Sequence, residues 1–291
     1  MSERLAVARR AAAIGIGWWM MRDGEVRGAG SPPDSPPAVL EEAPAKDSPP
    51  PPPAPPEPPV DAPSRDAAPP TSGVYSPAMA TSVIRVRTRL EGTPPRMRPV
   101  RFDADPECGK QQSTAVPEET IVSRDGLLAN AVVFVSRGAE RWTFRPPEEP
   151  VVLDQRGCMY VPHVFTVMAG QPVHIRNSDP VMHNVHGIPR VNREFNRSQL
   201  KGAKEIETRF EKAELGIIIK CDVHGWMRSF AGVFDHPFHA VTDGDGSAVL
   251  RLPPGEYEVA VWHEKLPAPE AQRVRVGEGA TSDAEFRFVV K

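Results

Sequence analysis

The sequence contains no apolar run long enough to cross a bilayer as a helix. The best stretch, residues 11–21 (AAAIGIGWWMM), has 11 residues, where a membrane-spanning helix needs about 20. There is no basic block and no interleaving of aromatic with basic residues, which removes the usual footprint of a nucleic-acid partner. The 35 basic and 38 acidic side chains leave a formal charge of −3, too small and too evenly spread to select a partner. H-x-x-E and HExxH pairs are missing, and with them the common metallohydrolase patterns. Helical periodicity is almost absent beyond residue 76, which argues against a helical core. Cysteine is scarce: Cys108, Cys158 and Cys221 are the only three.

Proline is abundant and concentrated. Residues 31–70 hold 17 prolines among 40 positions, with mostly Ala, Ser, Asp and Glu between them. Such a stretch has too little apolar surface to offset the entropy of ordering it, so 31–80 reads as a disordered, semi-rigid polyproline linker. The folded part is expected from near Ser76, leaving about 210 residues for one large or two small domains. Ahead of the linker, Arg4, Arg9 and Arg10 precede the apolar run, the order of a secretory signal. No A-x-A cleavage site follows, so residues 1–30 read as either a signal or an uncleaved membrane anchor. The Arg9-Arg10 pair gives an incomplete twin-arginine pattern. Either way the chain is expected in the periplasm or cell envelope, with the linker holding the rest away from a membrane. In an exported chain, an odd number of cysteines suggests one disulfide and one cysteine with another task.

Short β-branched runs bounded by Gly, Pro, Asn and Asp dominate the remainder. Strands are expected over 82–90, 131–136, 164–167, 172–176, 205–210, 215–220, 231–234, 248–252, 257–262, 273–276 and 284–290. Turn residues at 125–126, 169–170, 243–246 and 253–255 fall between them. That spacing indicates sandwiches or barrels. The DGDG run at 243–246 fails as a calcium loop, because its twelfth position is Pro254 where a bidentate Glu is needed; it reads as a hairpin turn. The polar segment 189–201 is expected to hold one short helix.

The chemistry concentrates in residues 217–227, IIIKCDVHGWM. A buried strand is expected to end at Cys221, and the chain to turn through His224 and Met227, a Cys-x2-His-x2-Met loop. Upstream, NSDPVMHNVHG places His183 just after the strand at 172–176. Two strand ends can bring His183 beside Cys221, His224 and Met227. A thiolate and two imidazoles with a distant thioether suit copper in both oxidation states, since soft sulfur favours Cu(I) and imidazole accepts Cu(II). Zinc fits less well, because methionine is a poor zinc ligand. No position is left open for a substrate, so outer-sphere electron transfer by one copper per chain is expected rather than an enzyme. Multicopper oxidases need additional His-x-His pairs, and a binuclear copper centre a second cysteine near Cys221; neither pattern is present. His186 is not assigned to the metal, and His163 and His174 read as surface or structural.

With these residues in view, the stretch 151–236 resembles a small cupredoxin of the amicyanin and plastocyanin kind. The resemblance is carried by His183-Asn184-Val185-His186, by Cys221-Asp222-Val223-His224-Gly225-Trp226-Met227, by Tyr160-Val161-Pro162 and by the Gly170 turn. It implies that the first His of the HNVH stretch, His183, is the upstream ligand, and that Asn184 braces the cysteine loop by hydrogen bonds. Val223 and Gly225 stand where the family often has proline, which implies a looser loop. Trp226 reads either as part of an apolar docking face over the metal or as a core residue.

The flanks 81–149 and 237–291 are each too short for a durable core alone, and pairing them into one sandwich with 150–236 inserted is the simplest arrangement; two sequential domains are the alternative. The run from His239 to Lys265 resembles the carboxypeptidase regulatory-like domain, a transthyretin-like sandwich that implies a contact module and no peptidase. Cys108 and Cys158 then remain for the disulfide. The expected fold class is therefore all-β: a cupredoxin Greek-key β-sandwich plus a second small β-sandwich, behind the proline-rich linker. Three functions stay open: an exported electron carrier serving a redox partner protein such as a cytochrome or dehydrogenase, a copper storage or delivery protein, and a structural envelope protein with a vacant site.

Overall fold

The computed structural model describes residues 73–102, 105–112, 114–118 and 121–290. The signal or anchor segment and most of the linker lie outside the described residues. The linker reading reaches too far at its end, because Gly73–Val74 pairs with Trp142–Thr143 and Tyr75 packs edge-on against Phe238. An aromatic side chain with a buried partner to meet can offset the entropy of ordering a short segment. No helix among the described residues is long and apolar enough to cross a membrane.

Strands dominate, and their alternation explains their placement. In Ser82–Glu91, residues Ser82, Ile84, Val86, Thr88 and Leu90 are buried, while Arg85 and Arg87 face solvent. Period-two burial of this kind lays one face of a strand on a core. Ser82–Glu91 pairs antiparallel with Ser247–Leu252 and parallel with Thr281–Val289. Outward Arg85–Asp283 and Arg89–Glu285 ion pairs bridge the parallel ladder; exposed and screened by solvent, they contribute little. The facing sheet runs His239–Val241, Val132–Arg137, Gly255–Trp262, Gln272–Val276. Between the two sheets lie Ile84, Leu128, Val259, Tyr257, Phe286 and Phe288. The 243–246 turn closes as expected of a hairpin, with Asp243 Oδ1 accepting from the backbone N–H groups of Asp245 and Ser247.

A second sandwich uses residues 151–234. One sheet runs Ile206–Arg209, Pro172–Asn177, Val151–Gln155, Tyr160–Val161; the other runs Phe195–Gln199, His183–Ile188, Glu214–Lys220, Arg228–Phe234, Val164–Met168. Leu153, Val173, Ile175, Val185, Phe210, Ile217 and Ile219 fill the space between them. The helix expected in 189–201 is instead the edge strand Phe195–Gln199, paired antiparallel from Gln199 opposite His183 to Phe195 opposite Gly187. Its polarity is that of an edge strand with one wet side. Phe195 lies over Gly187 so closely that a Cβ there would come within 2.4 Å of its ring.

Phe102 and Cys108, which precede this sandwich in the chain, pack in its core cluster. They flank the start of the short helix Pro106–Lys110, whose N-cap is Asp105. The two sandwiches meet along Arg228–Phe234, where every residue after Arg228 is buried. Phe230, Phe234 and Val164 meet Val132, with Phe134 and Trp262 packed around them. Gly216 sits in a bulge at φ +79°, and Trp262 occupies the space a side chain there would need. His163 pairs with Glu264 across this joint, so it is structural and largely buried.

Candidate metal centre

The cysteine loop is a tight turn closed by its own backbone. The Cys221 N–H donates to the Met227 carbonyl at 3.2 Å, and the Met227 N–H donates to the His224 carbonyl at 2.9 Å. Cys221 and Met227 are both buried in the sandwich core. His183 opens its own strand, His183–Ile188, rather than trailing the preceding one. Antiparallel pairing of that strand with Glu214–Lys220 sets it beside the cysteine loop.

These placements converge. His183, Cys221 and His224 each offer one donor atom, and those atoms lie within 4.8 Å of one another. The Nδ1 atoms of His183 and His224 are 2.9 Å apart, and Cys221 Sγ is 3.8 Å from His224 Nδ1. All three side chains are buried. The sulfur accepts from the backbone N–H groups of Asn184 and His224, each at 3.4 Å. Burial opposes ionisation of the thiol, but the His183 hydrogen bond and these N–H donors win, and its pKa falls below the ordinary cysteine value. The thiolate is the form that binds metal.

Two aspartates complete the site, and sequence reasoning missed both. Asp179 Oδ2 lies 2.7 Å from His183 Nε2, and the carboxylate is held in turn by the backbone N–H groups of Gly157, donating to Oδ1, and Cys158, donating to Oδ2. Asp105 Oδ2 lies 3.1 Å from His224 Nε2. A carboxylate accepts, so each imidazole donates from Nε2 and turns an Nδ1 lone pair inward. Two lone pairs 2.9 Å apart, beside a thiolate, repel unless a cation lies between them. Burial disfavours charge on His183, yet Asp179 and Cys221 raise its pKa to about 8, so the pocket favours a positive charge. One soft sulfur and two imidazoles, with carboxylates on the far nitrogens, is a donor set that fits copper.

A polar network holds the Asp179–His183 turn. Gln155 donates to Gln199 at 2.6 Å, Asn177 donates to the carbonyls of Val181 and Gln199, and the Asp179 N–H donates to Asn177. These bonds tie the turn to the strands around it, with Gln155 Oε1 left without a hydrogen-bond partner among the described residues. Asn184 links the two ligand segments: its Oδ1 accepts from the Asp222 N–H at 3.0 Å, and its carbonyl accepts from the Tyr160 hydroxyl at 2.6 Å. Trp226 is half-buried, donates from Nε1 to the Cys158 carbonyl at 2.9 Å, and lies 5.1 Å from the His224 ring centre. His186 points away from the site to Asp222 and Glu194, and His174 pairs with Glu205 at the surface. Cys108 and Cys158 form a disulfide that leaves Cys221 as the free thiol.

No protein-family model matches the chain, and no curated protein matches it. Among solved structures it is similar to a copper-containing nitrite reductase from Thermus scotoductus SA-01, at 20% identity, over 35% of this chain and 25% of that one, with a TM-score of 0.28. The chain thus spans a quarter of that reductase's length. It is similar to a purple cupredoxin from Nitrosopumilus maritimus at 21% identity, over 28% of this chain and 98% of that one, with a TM-score of 0.25. It is also similar to amicyanin from Paracoccus versutus at 20% identity, over 35% of this chain and 96% of that one, with a TM-score of 0.27.

Proposed function

We propose that this chain is an exported copper protein of the blue-copper type that passes single electrons to and from a partner protein. The observation that carries the reading is the buried meeting of Cys221 Sγ with the Nδ1 atoms of His183 and His224, each imidazole held from behind by a carboxylate. Copper bound there would supply a one-electron couple between Cu(II) and Cu(I). The chain's own contribution is rigidity. The Asn184 and His224 N–H groups fix the thiolate, Asp179 and Asp105 fix the imidazoles, and the packed core behind Ile217 and Ile219 excludes water. A rigid, dry donor set changes little between oxidation states, which is what fast outer-sphere transfer requires. Met227, buried and brought back beside Cys221 by the closed turn, would offer its thioether as a further donor to copper.

The disulfide fits an oxidising compartment such as the periplasm or cell envelope. With a proline-rich spacer ahead of the fold, this favours a carrier tethered at a membrane. Voltammetry of the copper-loaded chain tests the redox reading: one reversible one-electron wave is expected per chain. Tight Cu(I) binding with no reversible wave would move the function to copper storage or delivery.

A further inference from the structure

We propose that Asp105 is a positioning residue of the metal centre, delivered by a disulfide-anchored arm from outside the sandwich that holds the other site residues. The inference deepens the copper reading above and rests on it for its redox consequence. Asp105 is 119 residues from His224 in sequence, yet its Oδ2 meets His224 Nε2 at 3.1 Å. Its other oxygen, Oδ1, accepts from the Glu107 N–H at 2.9 Å as the N-cap of Pro106–Lys110, so the carboxylate is held from both sides. Cys108 in that helix is tied to Cys158, and its sulfur lies 3.7 Å from His224 Nε2. Phe102 stands edge-on to Trp226 at 5.2 Å, and Trp226 donates to the Cys158 carbonyl. The arm is thus clamped beside the outer edge of His224, whose exposure is 1%.

Three consequences follow from the chemistry of a carboxylate in this position. It takes the Nε2 hydrogen and so fixes the tautomer that leaves Nδ1 free for a metal. It fixes the ring's orientation. It places a negative charge just beyond a ligand, which favours the more highly charged metal state. Asp179 serves His183 in the same way but comes from four residues upstream, within the same sandwich. His224 has no such local partner. The centre is therefore complete only when the arm is docked.

The test uses the full chain and two variants. Asp105→Asn keeps the shape and removes the charge. Asp105→Ser keeps the helix cap but cannot reach His224. In the metal-free wild type, nitrogen NMR of the His224 ring should show the Nε2–H tautomer; in Asp105→Ser it should become a mixture. Cu(II) affinity should fall about 10- to 100-fold in both variants. The loss for Cu(I) should be smaller, so the reduction potential rises. A purely structural Asp105 would change stability and leave tautomer and potential unmoved. Wild-type tautomer, affinity and potential in both variants would overturn the proposal. A wild-type chain that takes up no copper would instead sink the copper reading, and the metal-free tautomer would still decide on Asp105.

Discussion

The sandwich built on Ser82–Glu91 encloses Tyr257, Phe238, Phe286 and Phe288, whereas the one built on His183–Ile188 and Glu214–Lys220 encloses His183, His224, Cys221, Asp179, Gln155 and Gln199. Both use alternating strands on a common core, so the backbone physics is the same. Their histidines show what differs. In the aromatic sandwich, His263 and His239 have no carboxylate at hydrogen-bond distance among the described contacts, and their buried Nε2 atoms have no hydrogen-bond partner. Burial, then the neighbouring His163 and Lys265, pushes His263 down to about 4; burial, then His236, pushes His239 down to about 3. In the other sandwich, burial acts on His183 as well, but Asp179 and Cys221 reverse it and raise the value to about 8. A histidine buried alone becomes a neutral filler that resists protonation. Buried with a carboxylate and a thiolate, it becomes part of a pocket that seeks a cation.

The comparison can be broken most forcefully at the disulfide. Cys108 and Cys158 are 50 residues apart, and a loop of that length is worth about 4 kcal/mol in the chain-entropy model. Replacing both by Ser should lower stability by about that amount in urea denaturation and release the Asp105 arm. Amide exchange should quicken around the cysteine loop and much less in Ser82–Glu91. Equal loss in both sandwiches would mean that they unfold as one unit. In the native chain, thiol counting after denaturation without reductant should find one free thiol, Cys221.

A smaller effect sharpens the contrast between the histidines. The unfolded chain takes up protons on His239 and His263 below about pH 6.5, while the folded chain resists until about 3 and 4. Stability of the metal-free chain should therefore fall as pH drops from about 6.5 toward 4, by about 1.4 kcal/mol per pH unit for each histidine. His183, raised rather than lowered, is protonated in both states over most of that window and adds little to the slope. Urea denaturation at pH 7 and pH 5.5 measures it. His263→Gln should make the slope shallower; an unchanged slope would show that this ring does not resist protonation.

The cysteine loop was legible in the sequence because its chemistry lies within seven consecutive residues, 221–227, behind a run of isoleucines. Inward alternation likewise gave most strands of the aromatic sandwich. The strand His183–Ile188 was not among those expected, since HNVHGI lacks the β-branched pattern that marks strands. Phe195–Gln199 was hidden by its polarity as an edge. Asp179 stood in plain view four residues before His183, but an Asp between Ser and Pro signals a turn before it signals a histidine partner. Asp105 left no trace near the motif: only the tertiary path of the arm, fixed by Cys108 and Phe102, brings it to His224. Local chemistry can be read from spacing, whereas the carboxylate that faces His224 arrives by a contact made at long range.

The most direct measurement is a Cu(II) titration of the purified chain followed by visible absorption, with Cys221→Ser alongside. One intense blue thiolate-to-copper band should saturate at one equivalent in the native chain and be absent from the variant. A native chain that takes up no stoichiometric copper, or a Cys221→Ser chain that keeps the band, would contradict the account.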